Sequence, residues 1–94
     1  MPDKLSTDAV DDGLSGTAWT REGDEIRRDL KFSDFAAALA YVNRVAAAAE
    51  EANHHPDILI HGWNNVRLTL STHSVGGLTQ ADLDMARTLD EVPR

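Results

Sequence analysis

Two segments of the chain alternate apolar and polar residues with the period of two that is typical of half-buried β-strands. From Ile26 to Phe32 the residues on one side are apolar except for Arg28. From Asn65 to Thr72 polar residues alternate with valine and leucine. Both segments are therefore predicted to be strands that bury one face.

Two further strands are predicted on weaker patterns. One begins at Trp19 and is interrupted by Glu22-Gly23-Asp24, which is a turn signal between two short strands. The other runs from Asp57 to His61 and is joined to the following strand around Gly62. The chain thus contains four predicted strands.

A longer segment between these strands has helical spacing and is rich in alanine. We predict a helix from Asp34 to about Ala52, with Ser33 as its N-cap and Asp34 in the first turn, where the helix dipole favours an anion. Pro56 ends the helix near His54-His55, because proline disfavours the α conformation in the residue before it. The apolar stripe of this helix consists of Phe35, Leu39, Val42, Ala46 and Ala49.

Two shorter helices are predicted near the ends of the chain. The first runs from Ser6 to Leu14, with Ser6 or Thr7 as N-cap, so residues 1–13 form a short helix or are loosely ordered. The last opens with Thr79-x-x-Asp82, which resembles a capping box, and continues through Leu89.

The order of these elements is helix, two strands, long helix, two strands, helix. Strands joined by short turns favour one antiparallel sheet, so the predicted class is α+β: a four-stranded antiparallel sheet with helices packed on one face. We expect residues 1–94 to form a single domain. A chain of this size buries only about 60–65 % of its unfolded surface, so oligomerisation would help to stabilise it.

Composition narrows the possible ligands. The formal net charge is −7, which argues against direct binding to nucleic acid or to an anionic membrane surface. The chain has no cysteine, no run long and apolar enough to span a membrane, and no basic segment leading into an apolar run as in a secretory signal. We therefore expect a cytoplasmic protein that binds a small neutral or weakly charged molecule.

Three of the four histidines are predicted to lie at the ends of elements. His54 and His55 follow the long helix, and His73 ends a strand on its polar side. Imidazole is the natural group for giving and taking protons at neutral pH, so the three are candidate catalytic residues. The alternatives are a structural role at the helix C-terminus, where the dipole favours a cation, and a zinc site. Adjacent histidines rarely chelate one ion together, and the chain has no His-x-x-x-His pair, so no metal is expected.

Two carboxylates accompany these histidines. Glu50 lies four residues before His54, so it is a candidate to orient that imidazole, although it is also compatible with an ordinary solvated helix residue. Asp57 is a candidate to hydrogen-bond to either neighbouring histidine or to serve the turn. His61 stands within a strand and is interpreted as structural or exposed.

The motifs around the histidines resemble the pterin-4a-carbinolamine dehydratase family. The resemblance rests on Glu50-x-x-x-His54-His55-Pro56, then Thr72-His73, then Gly77-Leu78-Thr79 followed by Asp82, and it covers roughly residues 14–90. It implies an α+β fold and a homodimer or homotetramer. It also implies removal of water from 4a-hydroxytetrahydropterin to give quinonoid dihydropterin, which recycles the pterin used by aromatic amino-acid hydroxylases, with no metal or cofactor.

The resemblance also implies roles for individual residues. His54 and His73 form the proton-transfer pair, and His55 positions the pterin. Glu50 contacts the pterin ring or orients His54. The substrate-binding set is Glu50, Asn53, Asp57, Ser71 and Thr72.

Two positions depart from the family pattern. Asn53 stands where relatives often carry Asp, which removes a carboxylate next to the predicted site. The segment from Asp57 to Asn65 is one residue longer than usual, with Gly62 as the insertion, and this shifts Trp63 from the usual aromatic position. Both departures bear on how the substrate fits.

A non-catalytic role on the same fold is the alternative. Relatives in mammals act as dimerisation partners of a homeodomain transcription factor, and some dehydratase-like proteins assist the assembly of other complexes. Scaffold-only members would be expected to lose the histidines. Retention of all three favours the enzyme.

Overall fold

The alternating segments form one antiparallel sheet. The computed structural model describes residues 3–94 and shows four strands in the order β1-β2-β4-β3, each antiparallel to its neighbour. Its elements in chain order are α1 Thr7–Leu14, β1 Thr20–Glu22, β2 Glu25–Lys31, α2 Phe35–Ala52, β3 Asp57–His61, β4 Asn65–Leu70, a 3₁₀ turn His73–Val75, and α3 Gln80–Asp90. The predicted α+β class is confirmed.

Sheet register places the apolar residues of neighbouring strands on one face. Ile26 on β2 pairs with Leu70 on β4, and Leu30 pairs with Val66. Arg28, which breaks the apolar side of β2, lies between them, and its guanidinium pairs with the Asp90 carboxylate at the end of α3. This polar residue on the buried face of β2 is therefore paired with a carboxylate of the helix that covers it.

The end of β4 differs from the prediction. The strand stops at Leu70 instead of Thr72, and His73 begins the 3₁₀ turn instead of ending a strand. The cause is a local closure, in which the Thr72 N–H donates to the carbonyl oxygen of Gly77 at 2.7 Å. Gly76 completes the turn in the left-handed region, with φ of 62°.

The N-cap and the buried face of α2 also differ from the prediction. Asp34, not Ser33, is the N-cap, because its carboxylate accepts from the N–H of Ala37 at 2.8 Å. Phe35 and Leu39, which belong to the predicted apolar stripe, are 51% and 42% exposed. The buried face instead consists of Ala38, Tyr41, Val45 and Ala49. On this face the alanines are small, whereas the ring of Tyr41 packs against Phe32, which directly follows β2.

Loops and caps fix the remaining elements. Ser6 caps α1 as predicted, since its hydroxyl accepts from the N–H of Ala9 at 3.1 Å. The β3–β4 connection turns at Gly62 and Trp63, both with positive φ. Asn64 then locks the hairpin to β2: its side-chain amide donates to the carbonyl oxygen of Phe32 at 2.9 Å, and its own carbonyl accepts from the Phe32 N–H at 2.8 Å.

The buried apolar residues form one core between the sheet and the three helices, with β2, β4 and α2 supplying most of the fully buried side chains. Within residues 3–94 no helix is both long enough and apolar enough to cross a membrane.

Tyr41 is an anomaly in this core. Its side chain is almost fully buried against the Phe32 ring, and its hydroxyl has no hydrogen-bond partner within residues 3–94. Burial raises the pKa of Tyr41 above its ordinary value of 10.0, and the positive charge of Arg28 opposes this only in part. A buried hydroxyl without a partner is a cost to stability.

We expect Tyr41→Phe to raise the free energy of unfolding at neutral pH by about 1 kcal/mol, because an unpaired polar group is removed without leaving a cavity. Tyr41 is the only tyrosine in the chain. Since its folded pKa is raised, the unfolded chain loses the tyrosine proton first, and the wild type loses stability as pH rises above 10. Urea unfolding of both proteins at neutral pH and above pH 10 measures this, and the difference in favour of Tyr41→Phe should widen with pH. A variant less stable than the wild type at neutral pH would show that the hydroxyl is satisfied.

Candidate active site

The end of α2 separates the two adjacent histidines. Asn53 is the C-cap and adopts the left-handed conformation, with φ of 51° and ψ of 40°. The N–H of His54 still bonds to the carbonyl oxygen of Ala49 at 3.2 Å, after which the chain passes through Pro56 into β3. Because the backbone turns here, His54 and His55 point to different partners.

His54 points inward to a buried carboxylate. Its Nε2 lies 2.7 Å from Oδ1 of Asp82, and the two side chains are 22% and 0% exposed. The other oxygen of Asp82 accepts from the Thr72 hydroxyl at 2.7 Å and from the Thr79 N–H at 2.9 Å. The hydroxyls of Thr72 and Thr79 lie 2.9 Å apart. One buried carboxylate therefore joins the end of α2, the end of β4 and the start of α3.

Sequence reasoning missed Asp82 as a partner of His54. The capping box Thr79-x-x-Asp82 is present as predicted, and it explains why the carboxylate accepts from the Thr79 N–H. A cap uses only one side of a carboxylate. The sequence signal for a second partner was the other oxygen of the Asp82 carboxylate, which the cap leaves free. That oxygen needs a partner only if Asp82 is buried, and its burial depends on the tertiary fold.

His55 pairs with Glu50 on the surface. Its Nε2 lies 2.6 Å from Oε2 of Glu50, and the side chains are 57% and 77% exposed. The prediction that Glu50 orients His54 is therefore wrong in this structure, because Asn53 turns the chain away from the helix axis before His54 is reached. An exposed pair of this kind contributes little to stability.

His73 directly follows Thr72, whose hydroxyl bonds to Asp82. Its side chain is exposed on the 3₁₀ turn and lines a cleft of about 370 Å³ together with Ser71 and Thr72. The β1–β2 hairpin also lines this cleft. It contributes three carboxylates, which make the cleft negatively charged: Glu22, Asp24 and Glu25. This volume lies within the range of small-molecule sites, which is about 300–1,000 Å³.

His54 opens onto a second, smaller hollow of about 220 Å³ between the end of α2 and α3, which it shares with Met85 and Thr88. His54 and His73 thus face different concavities. They are connected through Thr72, which directly precedes His73 and bonds to the carboxylate that holds His54.

The other predicted site residues are not drawn into this network. Asn53 serves as the α2 C-cap. Asp57 begins β3 opposite Thr69, and within residues 3–94 it makes no hydrogen bond to a histidine. His61 lies at the far end of β3, away from the other three histidines. Across residues 3–94, no three histidine or acidic side chains are grouped in a way that could hold a metal ion.

The arrangement can support proton transfer. His54 is only partly exposed and is fixed at one ring nitrogen, whereas His55 and His73 are exposed to solvent. Such a set presents imidazoles in different environments, which is what acid and base groups of one reaction require.

Comparison with known proteins identifies relatives over almost the whole chain. Residues 3–92 match the family described as "Pterin 4 alpha carbinolamine dehydratase". A Nocardia farcinica protein named "Putative pterin-4-alpha-carbinolamine dehydratase" is 51% identical over 96 residues, covering 96% of this chain and 100% of that protein. A Roseiflexus protein of the same name is 46% identical over 93 residues, covering 98% and 99% of the two chains.

Solved structures agree with this relationship. The crystal structure of a "transcriptional coactivator/pterin dehydratase" from Brucella melitensis superposes with a TM-score of 0.87 at 31% identity, covering 96% of this chain and 98% of that one. A pterin dehydratase-like protein described as a RuBisCO assembly factor in the alpha-carboxysome shares the fold, with a TM-score of 0.67 at 24% identity over 82% of this chain and 90% of that one. As its histidine motifs predicted, this chain belongs to the pterin 4 alpha carbinolamine dehydratase family.

Proposed function

We propose that the protein removes water from 4a-hydroxytetrahydropterin to give quinonoid dihydropterin, by general acid and base catalysis through histidine. Membership of the family supports the substrate class. The single observation that carries the catalytic role is the bonded series His54–Asp82–Thr72, which ties a partly buried imidazole to the residue that precedes His73.

The chemistry requires only two proton transfers. A base takes the proton from ring N5, and the electron pair of that N–H bond forms the C4a–N5 double bond. The C4a–O bond breaks, and an acid protonates the departing oxygen so that it leaves as water. Two imidazoles in opposite protonation states can supply both transfers, each contributing about 10²–10⁴-fold.

Within this proposal His54 and His73 are the proton-transfer pair, and His55 positions the pterin together with Glu50, to which it is bonded. Ser71 lines the larger cleft beside His73, so it is available to contact the ligand.

We expect the purified protein to accelerate dehydration of 4a-hydroxytetrahydropterin, followed by the absorbance change on formation of the quinonoid product. His54→Ala and His73→Ala should each lower kcat/KM about 10²-fold or more, because each removes one proton-transfer group. His61→Ala is the matched control and should retain wild-type activity, since His61 lies at the far end of β3. A wild-type rate no faster than the uncatalysed reaction would refute the proposal. Stoichiometric capture of a protein partner by that inactive chain would then favour the scaffold role.

We expect the reaction to need no metal, because both steps are proton transfers that imidazoles can perform. Dialysis against a chelator should leave kcat/KM unchanged. Loss of activity that is restored by adding back one divalent ion would contradict this.

We further propose that the protein is a homodimer or homotetramer. Two large apolar side chains on α2, Phe35 and Leu39, are about half exposed and lie one turn apart on the same helix face. Leu59 on the edge strand β3 is 49% exposed, and an unpaired edge is a ready template for another strand. Isolated exposed apolar residues need no partner, but adjacent ones on a small domain favour association.

Sedimentation equilibrium measures the assembly. We expect the wild type to have at least twice the mass of one chain and the double variant Phe35→Glu with Leu39→Glu to shift toward smaller species, because charge would then have to be buried in the contact. Ala9→Glu, which adds a charge at an exposed position on α1, should leave the assembly unchanged. A wild type that sediments as a monomer at every concentration would refute the proposal.

A further inference from the structure

We propose that Asp82, supported by Thr72 and Thr79, is a positioning residue that fixes the tautomer of His54, so that Nε2 carries hydrogen and Nδ1 is the proton acceptor of the reaction. This inference rests on the proposed dehydratase function. It assigns the base role to one imidazole and one ring nitrogen.

The two oxygens of Asp82 have different hydrogen-bond partners. Oδ2 accepts from both the Thr72 hydroxyl and the Thr79 N–H, at 2.7 and 2.9 Å. Oδ1 has one partner within residues 3–94, which is Nε2 of His54 at 2.7 Å. The carboxylate therefore cannot rotate without breaking two hydrogen bonds inside the protein.

The bond to Asp82 determines which ring nitrogen of His54 carries hydrogen. An ionised carboxylate accepts hydrogen bonds and donates none, so a bond from Oδ1 to Nε2 requires the hydrogen to be on Nε2. Neutral imidazole carries hydrogen on one ring nitrogen only. Nδ1 of His54 makes no hydrogen bond within residues 3–94, and the side chain is 22% exposed. Nδ1 is thus the nitrogen left to take a proton from a ligand.

The hydroxyls of Thr79 and Thr72 form a hydrogen-bonded series that ends at Asp82. The Thr72 hydroxyl has one hydrogen, which it donates to Asp82, so the Thr79 hydroxyl donates to Thr72 across the 2.9 Å contact. The Thr72 N–H and carbonyl are also used, both with Gly77. The polar groups of Thr72 are therefore committed inside the protein, and we assign Thr72 to positioning in place of direct pterin contact.

Nδ1 of His54 takes the N5 proton, and the C4a–N5 double bond forms. The hydroxide leaves C4a as water with a proton that comes from His73 through bridging water, because the two histidines line different hollows. His54 becomes an imidazolium held by the Asp82 carboxylate, and the enzyme is reset when His54 loses, and His73 regains, one proton through solvent. No oxidant or reductant is needed.

Asp82→Asn tests the tautomer directly. The two donors at Oδ2 will select the amide oxygen of Asn, which turns the amide NH₂ toward His54 and makes Nε2 an acceptor. Nitrogen-15 NMR of histidine-labelled protein reports which ring nitrogen carries hydrogen. We expect hydrogen on Nε2 in the wild type and on Nδ1 in Asp82→Asn. Hydrogen on Nδ1 in the wild type would overturn the assignment whether or not the protein is a dehydratase.

Kinetics supply the second readout. Asp82→Asn should lower kcat about 10²-fold or more with little change in KM. The substrate still binds, but Nδ1 of His54 then carries hydrogen and cannot accept the proton. Glu91→Gln removes an exposed carboxylate at the end of the same helix and is the matched control, with unchanged kcat. Thr72→Val should lower kcat, and Thr72→Ser, which keeps the hydroxyl, should restore it.

The outcomes separate the two proposals. An active wild type with an unaltered kcat in a folded Asp82→Asn protein would refute the positioning role while leaving the dehydratase intact. An inactive wild type that shows hydrogen on Nε2 would refute the dehydratase while leaving the tautomer assignment intact. Should Asp82→Asn fail to fold, the pair Thr72→Val and Thr72→Ser decides the question: equal kcat values in the two would overturn the positioning role.

Discussion

The carboxylate of Asp82 is fully buried, and a buried carboxylate is tolerated only where hydrogen-bond donors surround it. The donors come from distant parts of the chain: the end of β4 provides Thr72, the first turn of α3 provides Thr79, and the residue pair after α2 provides His54. Removing one partner would leave an unpaired group at a cost of about 1–3 kcal/mol. The sheet, α2 and α3 must therefore meet at Asp82. The same contacts that satisfy this carboxylate also position the residues of the candidate site.

The second constraint on the site is the direction in which α2 ends. A left-handed residue at Asn53 stops the helix and redirects the chain, so adjacent histidines acquire unlike surroundings. One imidazole is held by a buried carboxylate, and the other rests on the surface beside Glu50. A continuous helix would have placed His54 above Glu50 and left Asp82 without its partner.

The sequence predicted the four strands, the three helices and the antiparallel class, because alternation and capping residues act locally. It failed on the buried face of α2, where Phe35 and Leu39 are exposed and Ala38, Tyr41 and Val45 are buried. Both sets of residues follow helical spacing, so only the tertiary packing decides which face of the helix meets the sheet. The histidine motifs also led to the correct family. The bond between His54 and Asp82 joins residues 28 apart, so nothing in local spacing could predict it.

The first turn of α3 has a role beyond covering the core. It is capped by the same carboxylate that holds His54, so any opening of that turn releases the imidazole at once. Local opening of a helix end costs less than global unfolding in most proteins. We therefore expect the opening equilibrium of this helical turn to contribute to the fraction of molecules in which the His54 ring is ordered. Mutations that loosen α3 far from either concavity will reduce that fraction while most of the protein remains folded.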